Sequence, residues 1–151
     1  MRVDIKKEYD EPRNAISFDW MKTLFSLDIL PILIPNCKNA PDRYFDTLDF
    51  DGIILTGGDD IHLIPEEGLR ESYDEPLSAR DSTEYLLLEK AISRRIPVIG
   101  VCRGFQLINL YFGGALVENI KKREDVRVCH IRCEHEIVII DKDIIKLVGE
   151  N

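Results

Sequence analysis

Apolar residues along this chain come in short runs, and the runs alternate between two spacings. Arg2 to Lys7 alternates polar and apolar at Val3 and Ile5, which predicts a short strand. Tyr9 to Asn14 is polar, contains Pro12, and reads as a loop. Ile16, Trp20, Leu24 and Leu27 follow at spacings of three and four, the stripe of an amphipathic helix. Leu30 to Pro35 reads as a second strand bounded by prolines, with Pro31 suiting an edge or a first position. A helix is expected over Asp42 to Asp46, and a third strand over Phe50 to Leu55 that runs into Thr56-Gly57-Gly58-Asp59-Asp60. Residues 61 to 76 form a long acidic loop, and loops of that length are more often functional than idle. Asp81-Ser82-Thr83-Glu84 resembles a capping box that would open a helix burying Tyr85, Leu88, Ala91 and Ile92 and ending near Ser93-Arg94-Arg95. Pro97 to Val101 is the fourth strand, followed at once by a helical segment, Phe105 to Tyr111, closed by Gly113-Gly114. Leu116 to Ile120 fits a short strand or a turn, 121 to 125 a solvated charge run, Glu136 to Ile140 a strand, and Asp143 to Val148 a short helix.

Short apolar strands alternating with helices predict an α/β fold with a mostly parallel sheet. In such sheets ligands bind beyond the carboxyl ends of the strands. Two glycine-bearing segments fall there: Thr56-Gly57-Gly58 after the third strand and Gly100-Val101-Cys102-Arg103-Gly104 after the fourth. The second has the form Gly-x-nucleophile-x-Gly, the nucleophile elbow, with cysteine in the middle. A thiol at a helix N-terminus has its thiolate favoured by unpaired N–H groups and the helix dipole. A buried structural cysteine after a core strand is the alternative reading.

Composition narrows the picture. The chain has 151 residues, 44% hydrophobic and 32% charged, which suits one soluble globular domain. A net charge of −8 argues against a nucleic-acid groove, which needs clustered Lys and Arg. No apolar run approaches the ~20 residues of a membrane span, and the N-terminal segment lacks the apolar core of a signal peptide, so a cytoplasmic location is expected. Four cysteines, at 37, 102, 129 and 133, are then expected to stay reduced. Cys129-His130 with Cys133 and His135 is compact, but it is not a standard structural-zinc spacing, and strand alternation accounts for it; no metal site and no cofactor is assigned. Cys37 has no partner motif, and His62 reads as a loop histidine that could touch substrate.

Taken together, Asp51 to Ile61, Arg80-Asp81 with Glu84, and Ile96 to Asn109 followed by Gly113-Gly114-Ala115-Leu116 resemble class I glutamine amidotransferase-like proteins. Within them they resemble the gamma-glutamyl hydrolase branch (cysteine peptidase family C26), which includes gamma-glutamyl-gamma-aminobutyrate hydrolases. The resemblance covers most of residues 30 to 120. It implies a three-layer, flavodoxin-like, mostly parallel sheet flanked by helices in a single domain over 1–151. It implies hydrolysis of a small-molecule gamma-glutamyl amide, with Cys102 as the nucleophile. The backbone N–H of Arg103 and one from Gly57 or Gly58 would form the oxyanion hole, and Gln106 would help hold the glutamyl group. Tyr9, Glu11, Arg13 and the loop from 61 to 80 are candidates for the leaving-group side. Residues 13 to 20 also look like proteins from bacterial surface-polysaccharide clusters, where the leaving group would be a nucleotide-linked phosphoramidate. A homodimer is the candidate assembly; no nucleic-acid or membrane partner is expected.

The resemblance places the family's catalytic His and Glu beyond the region matching 147–151, and none of His62, His130 and His135 lies in the matching motif. The expectation is therefore a chain carrying the nucleophile without its base, an N-terminal portion of a longer enzyme, weakly active or inactive alone. Two other functions stay open: a glutaminase domain donating ammonia to a synthetase, and a non-catalytic, partner-binding remnant. Cys-Arg-Gly at 102–104, where synthetase-coupled domains commonly have Cys-Leu-Gly, favours the hydrolase branch.

Overall fold

The computed structural model describes residues 1–37, 40–61, 76–117, 136 and 138–148. They fall into two compact units, Met1–Leu116 and Val117–Asn151. The larger unit opens on a hairpin: β1 (Arg2–Lys6) pairs antiparallel with β2 (Glu11–Ala15), with Arg2 opposite Ala15 and Ile5 opposite Pro12. The sequence places a loop at 9–14, and the hairpin overturns that reading. The second strand carries almost no apolar side chains, which leaves no periodic signal. It is held chiefly by main-chain pairing, with the Asn14 side-chain oxygen accepting from the Asn36 N–H at 3.0 Å. Pro12 is tolerated because a two-stranded ribbon has an open edge. Asp10 makes the turn at φ 50, and the Tyr9 N–H donates to the Lys6 carbonyl.

Helix α1 (Phe18–Ser26) buries Leu24. Ile16 and Leu27 of its expected stripe lie outside it, Leu27 as the exposed C-cap, after which Asp28 turns out of the helix at φ 57. Residues 30–35, expected as a strand, carry none: Pro31 and Pro35 lack N–H donors for a ladder, and Leu30, Ile32 and Leu33 are exposed. Helix α2 (Ala40–Thr47) contains the expected segment and seats Phe45 edge-to-face on Phe50, ring centroids 5.3 Å apart.

The centre of the unit is a parallel pair, β3 (Ile53–Leu55) and β4 (Val98–Gly100), with Ile53 opposite Val98 and Leu55 opposite Gly100. Both strands are shorter than their apolar runs. The long helix α3 (Pro76–Ser93) connects them, and α4 (Arg103–Tyr111) leaves β4. Leu55, Leu87, Leu88, Ala91 and Leu107 close one core together with Phe45 and Ile53. Helix α3 starts five residues before the expected capping box, with proline at its first position, where a missing N–H costs nothing. Asp81 to Glu84 therefore lie inside the helix, and all four are buried. An interior position is tolerable because the Asp81 and Glu84 carboxylates meet arginine instead of capping a terminus.

In the smaller unit α5 (Lys142–Val148) matches the expected short helix. The Asp141 carboxylate caps it, accepting from the N–H groups of Asp143 and Ile144 at 2.9 and 3.0 Å. Residues 136 and 138–140 do not form the expected strand, and Val138 and Ile140 are exposed. A strand exists only against a hydrogen-bonded neighbour, and the apolar alternation cannot supply one. His62, Cys129, His130, Cys133, His135 and the run 121–125 lie outside the described residues. The architecture is α/β, with one antiparallel and one parallel two-stranded sheet among the described residues. No helix among them is long and apolar enough to cross a membrane.

Candidate active site

Cys102 stands at the corner between β4 and α4, as the N-cap of that helix, with φ 53 and ψ −110. A non-glycine residue in this region is strained and persists only where its surroundings dictate it. Close packing dictates it here. The Val101 N–H donates to the Leu55 carbonyl at 2.9 Å, which carries the β3–β4 pairing up to the residue before the corner. The helix then turns back directly over the strands. A Cβ on Gly104 would stand 2.1 Å from the Leu55 carbonyl oxygen, so only glycine fits. A Cβ on Gly100 would stand 2.6 Å from the backbone of Gly104 and Phe105. The two glycines thus let strand and helix touch, and the residue between them is pushed outward. Cys102 is exposed and makes no disulfide.

The tip of β3 comes to the same place. A Cβ on Gly57 would lie 3.4 Å from the Cys102 Cβ and 4.0 Å from its Sγ. The glycine loop is therefore the immediate neighbour of the thiol. Arg103, the first residue of α4, has a backbone N–H with no acceptor within its own helix. Gln106 is half-buried one turn on, its backbone N–H donating to the Cys102 carbonyl at 3.1 Å. The structure thus gathers Cys102, Gly57, Arg103 and Gln106 at the ends of two neighbouring parallel strands, with Gly58 next in the loop.

Behind this surface lies a charge cluster that sequence reasoning noted only as a motif. Arg80, Asp81, Glu84 and Arg103 are each 1–2% exposed. The Arg80 Nε donates to Glu84 Oε1 at 2.8 Å. Arg103 donates to the other Glu84 oxygen and to an Asp81 oxygen, both as short contacts. One Arg80 nitrogen, Nη2, donates to the carbonyls of Thr56 and Gly57 at 3.1 and 3.0 Å. The Met1 amine lies 3.8 Å from Glu84 Oε1. Burial pushes that amine below its ordinary value, Glu84 pulls it up, and the two arginines push it further down. The signal for this cluster was present: Arg80 and Glu84 are one helical turn apart, and Arg103 follows the nucleophile. The capping pattern assigns the acidic residues to a helix terminus, and neither it nor the Cys-Arg-Gly motif says that the Arg103 side chain pairs with them.

A shallow pocket opens on the glycine loop, lined by Arg2, Ala15, Ile16, Ser17, Trp20, Thr56, Gly57 and Gly58. Of the residues expected on the leaving-group side, Tyr9, Glu11 and Arg13 do not line it. They hold one another on the outer end of the hairpin, the Arg13 guanidinium bonded to Glu11 and to the Tyr9 hydroxyl. No group of three or more His, Cys, Asp or Glu side chains able to hold a metal ion occurs among the described residues.

The sequence model of the Peptidase C26 family matches residues 2–148. A glutamine amidotransferase-like protein of Rickettsia prowazekii is 34% identical over 116 residues, 74% of this chain and 40% of that protein. The gamma-glutamyl-CDP-amidate hydrolase of Campylobacter jejuni is 29% identical over 113 residues, 74% of this chain and 52% of that protein. The gamma-glutamyl-gamma-aminobutyrate hydrolase of Escherichia coli O157:H7 is 36% identical over 93 residues, 58% of this chain and 35% of that protein. The chain thus spans between about a third and a half of the length of these relatives. With an exposed cysteine at a strand-to-helix corner and a glycine loop against it, the chain belongs to the Peptidase C26 family.

Proposed function

We propose that the protein hydrolyses a gamma-glutamyl amide through a glutamyl-thioester on Cys102. The observation that carries this reading is the bare flank of Gly57 facing Cys102, where an added Cβ would stand 4.0 Å from the sulfur, at a corner held at φ 53. The two relatives named as gamma-glutamyl hydrolases, one of an amidate and one of an amide, support the bond class. In this mechanism the thiolate attacks the gamma-carbonyl carbon, a C–S bond forms, and the carbonyl oxygen takes the negative charge. The N–H of Arg103 and one from Gly57 or Gly58 hold that oxygen; one such donor is worth about 10²–10³ in rate. Collapse breaks the C–N bond, and the departing amine takes a proton. Water then adds to the thioester carbonyl, the C–S bond breaks, and glutamate leaves with the thiol restored. Gln106 holds the glutamyl group.

The chain's three histidines all lie outside the described residues. The His and Glu that serve the thiol belong, on this reading, to the part of the family's length that this chain does not span. The complete domain is read as a three-layer, flavodoxin-like sheet of which β3 and β4 form adjacent strands. Arg103 supports the hydrolase branch over an ammonia donor, because its side chain is built into the Asp81–Glu84 cluster and leucine could not replace it there.

The test is turnover of gamma-glutamyl-p-nitroanilide by the whole protein and two cysteine variants. Cys102→Ala should lose on the order of 10⁴-fold or more in kcat, and Cys37→Ala should lose nothing. Full turnover by Cys102→Ala would refute the nucleophile assignment.

A further inference from the structure

The oxyanion hole of this reading needs two N–H groups fixed in space, and loops do not fix themselves. A trans peptide unit points its C=O and its N–H in opposite directions. The Thr56 carbonyl shares a unit with the Gly57 N–H, and the Gly57 carbonyl shares one with the Gly58 N–H. Both carbonyls accept from the same nitrogen of Arg80, at 3.1 and 3.0 Å. Both N–H groups are therefore turned away from that guanidinium, while the Gly57 Cα flank lies against Cys102.

The two glycines divide the work. Gly57 faces the thiol: a Cβ there would only reach ordinary contact, 3.4 Å from the Cys102 Cβ and 4.0 Å from its Sγ. The missing Cβ of Gly58, at φ +151, leaves room for the guanidinium: a Cβ there would stand 2.1 Å from Arg80 Nη1. The guanidinium is itself held, by Nε on Glu84 Oε1. The other oxygen of Glu84 holds Arg103, whose backbone N–H is the second donor of the proposed hole. A single buried carboxylate thus ties the loop after β3 to the corner after β4. Such a group lowers the reorganisation needed when charge develops on the substrate oxygen.

We propose that Arg80 is a positioning residue for the oxyanion hole: it clamps the Thr56 and Gly57 carbonyls so that the N–H groups of Gly57 and Gly58 stay aimed beside Cys102. This rests on the thioester reading and adds to it a requirement outside the residues that touch substrate. The conservative variant is Arg80→Lys, because an ammonium keeps the charge but cannot span two carbonyls and a carboxylate in one plane. Arg80→Gln removes the charge as well.

The experiment compares two reactions of the Cys102 thiol in the whole protein. Acylation by gamma-glutamyl-p-nitroanilide passes through an oxyanion. Alkylation by iodoacetamide is a displacement at a saturated carbon and passes through none. Arg80→Lys should acylate about 10²-fold more slowly, with its alkylation rate and the pH dependence of alkylation as in the unsubstituted protein. Arg80→Gln should do the same or worse. Unchanged acylation in both variants overturns the proposal. So does a parallel fall in acylation and alkylation in both, which means that Arg80 only maintains the fold. If the unsubstituted protein is never acylated at Cys102, the hydrolase reading fails first, and that failure is distinct from the other two.

Discussion

Cys37 and Cys102 are both free and exposed, and they share little else. Cys37 lies in the irregular segment before α2, its backbone N–H donating to the Thr83 hydroxyl at 3.1 Å. Helix α2 begins only three residues on, at Ala40, but among the described residues no glycine has Cys37 as a near neighbour. Cys102 stands at the head of a helix, at a strained φ, with Gly57 against it and a buried carboxylate behind it. Exposure alone therefore does not mark a reactive thiol; the backbone donors around it do. The two cysteines are even served by neighbouring residues of α3: Thr83 reaches Cys37, and Glu84 reaches the arginine beside Cys102.

That adjacency lets the comparison be broken from either side. The larger effect belongs to Glu84→Ala. It takes the shared carboxylate from two buried guanidinium groups, leaving Arg103 with Asp81 and Arg80 with main-chain carbonyls, and removing one partner of a buried ion pair costs about 3–5 kcal/mol. The midpoint of urea unfolding should fall accordingly, and acylation at Cys102 should fall with it. A midpoint close to that of the unsubstituted protein would show that the cluster does not hold the two walls of the site together. The smaller effect belongs to Thr83→Val. The Cys37 N–H loses its acceptor, at a cost of about 1 kcal/mol, while the rate of acylation at Cys102 stays where it was. A large loss of acylation in Thr83→Val would erase the separation between the two regions.

The parts of the fold legible in the sequence are those where one rule acts alone. The runs at 50–55 and 97–101, each followed by glycines, identify the two parallel strands and the corner between β4 and α4. Apolar spacing identifies the second half of α3. Elsewhere two rules competed. The β2 strand is polar and carries Pro12, and its existence depends on pairing with β1, which side-chain patterns do not encode. Conversely, 30–35 and 136–140 have strand-like side chains and no ladder among the described residues. At Asp81 to Glu84 a capping rule met a charge-pairing one, and pairing with Arg80 and Arg103 decided the outcome. In the site, the types of residue were legible and their division of labour was not. Only distances show that Gly57 faces the thiol and Gly58 faces Arg80, or that Trp20 and Arg2 line the pocket beside them.

The measurement closest to the central claim locates the acyl group. The whole protein is mixed briefly with gamma-glutamyl-p-nitroanilide, quenched in acid, digested, and its cysteine peptides weighed. The glutamyl group should appear on the peptide holding Cys102 and be absent from the one holding Cys37. A glutamyl group on Cys37, or product release with Cys102 never acylated, would contradict the account.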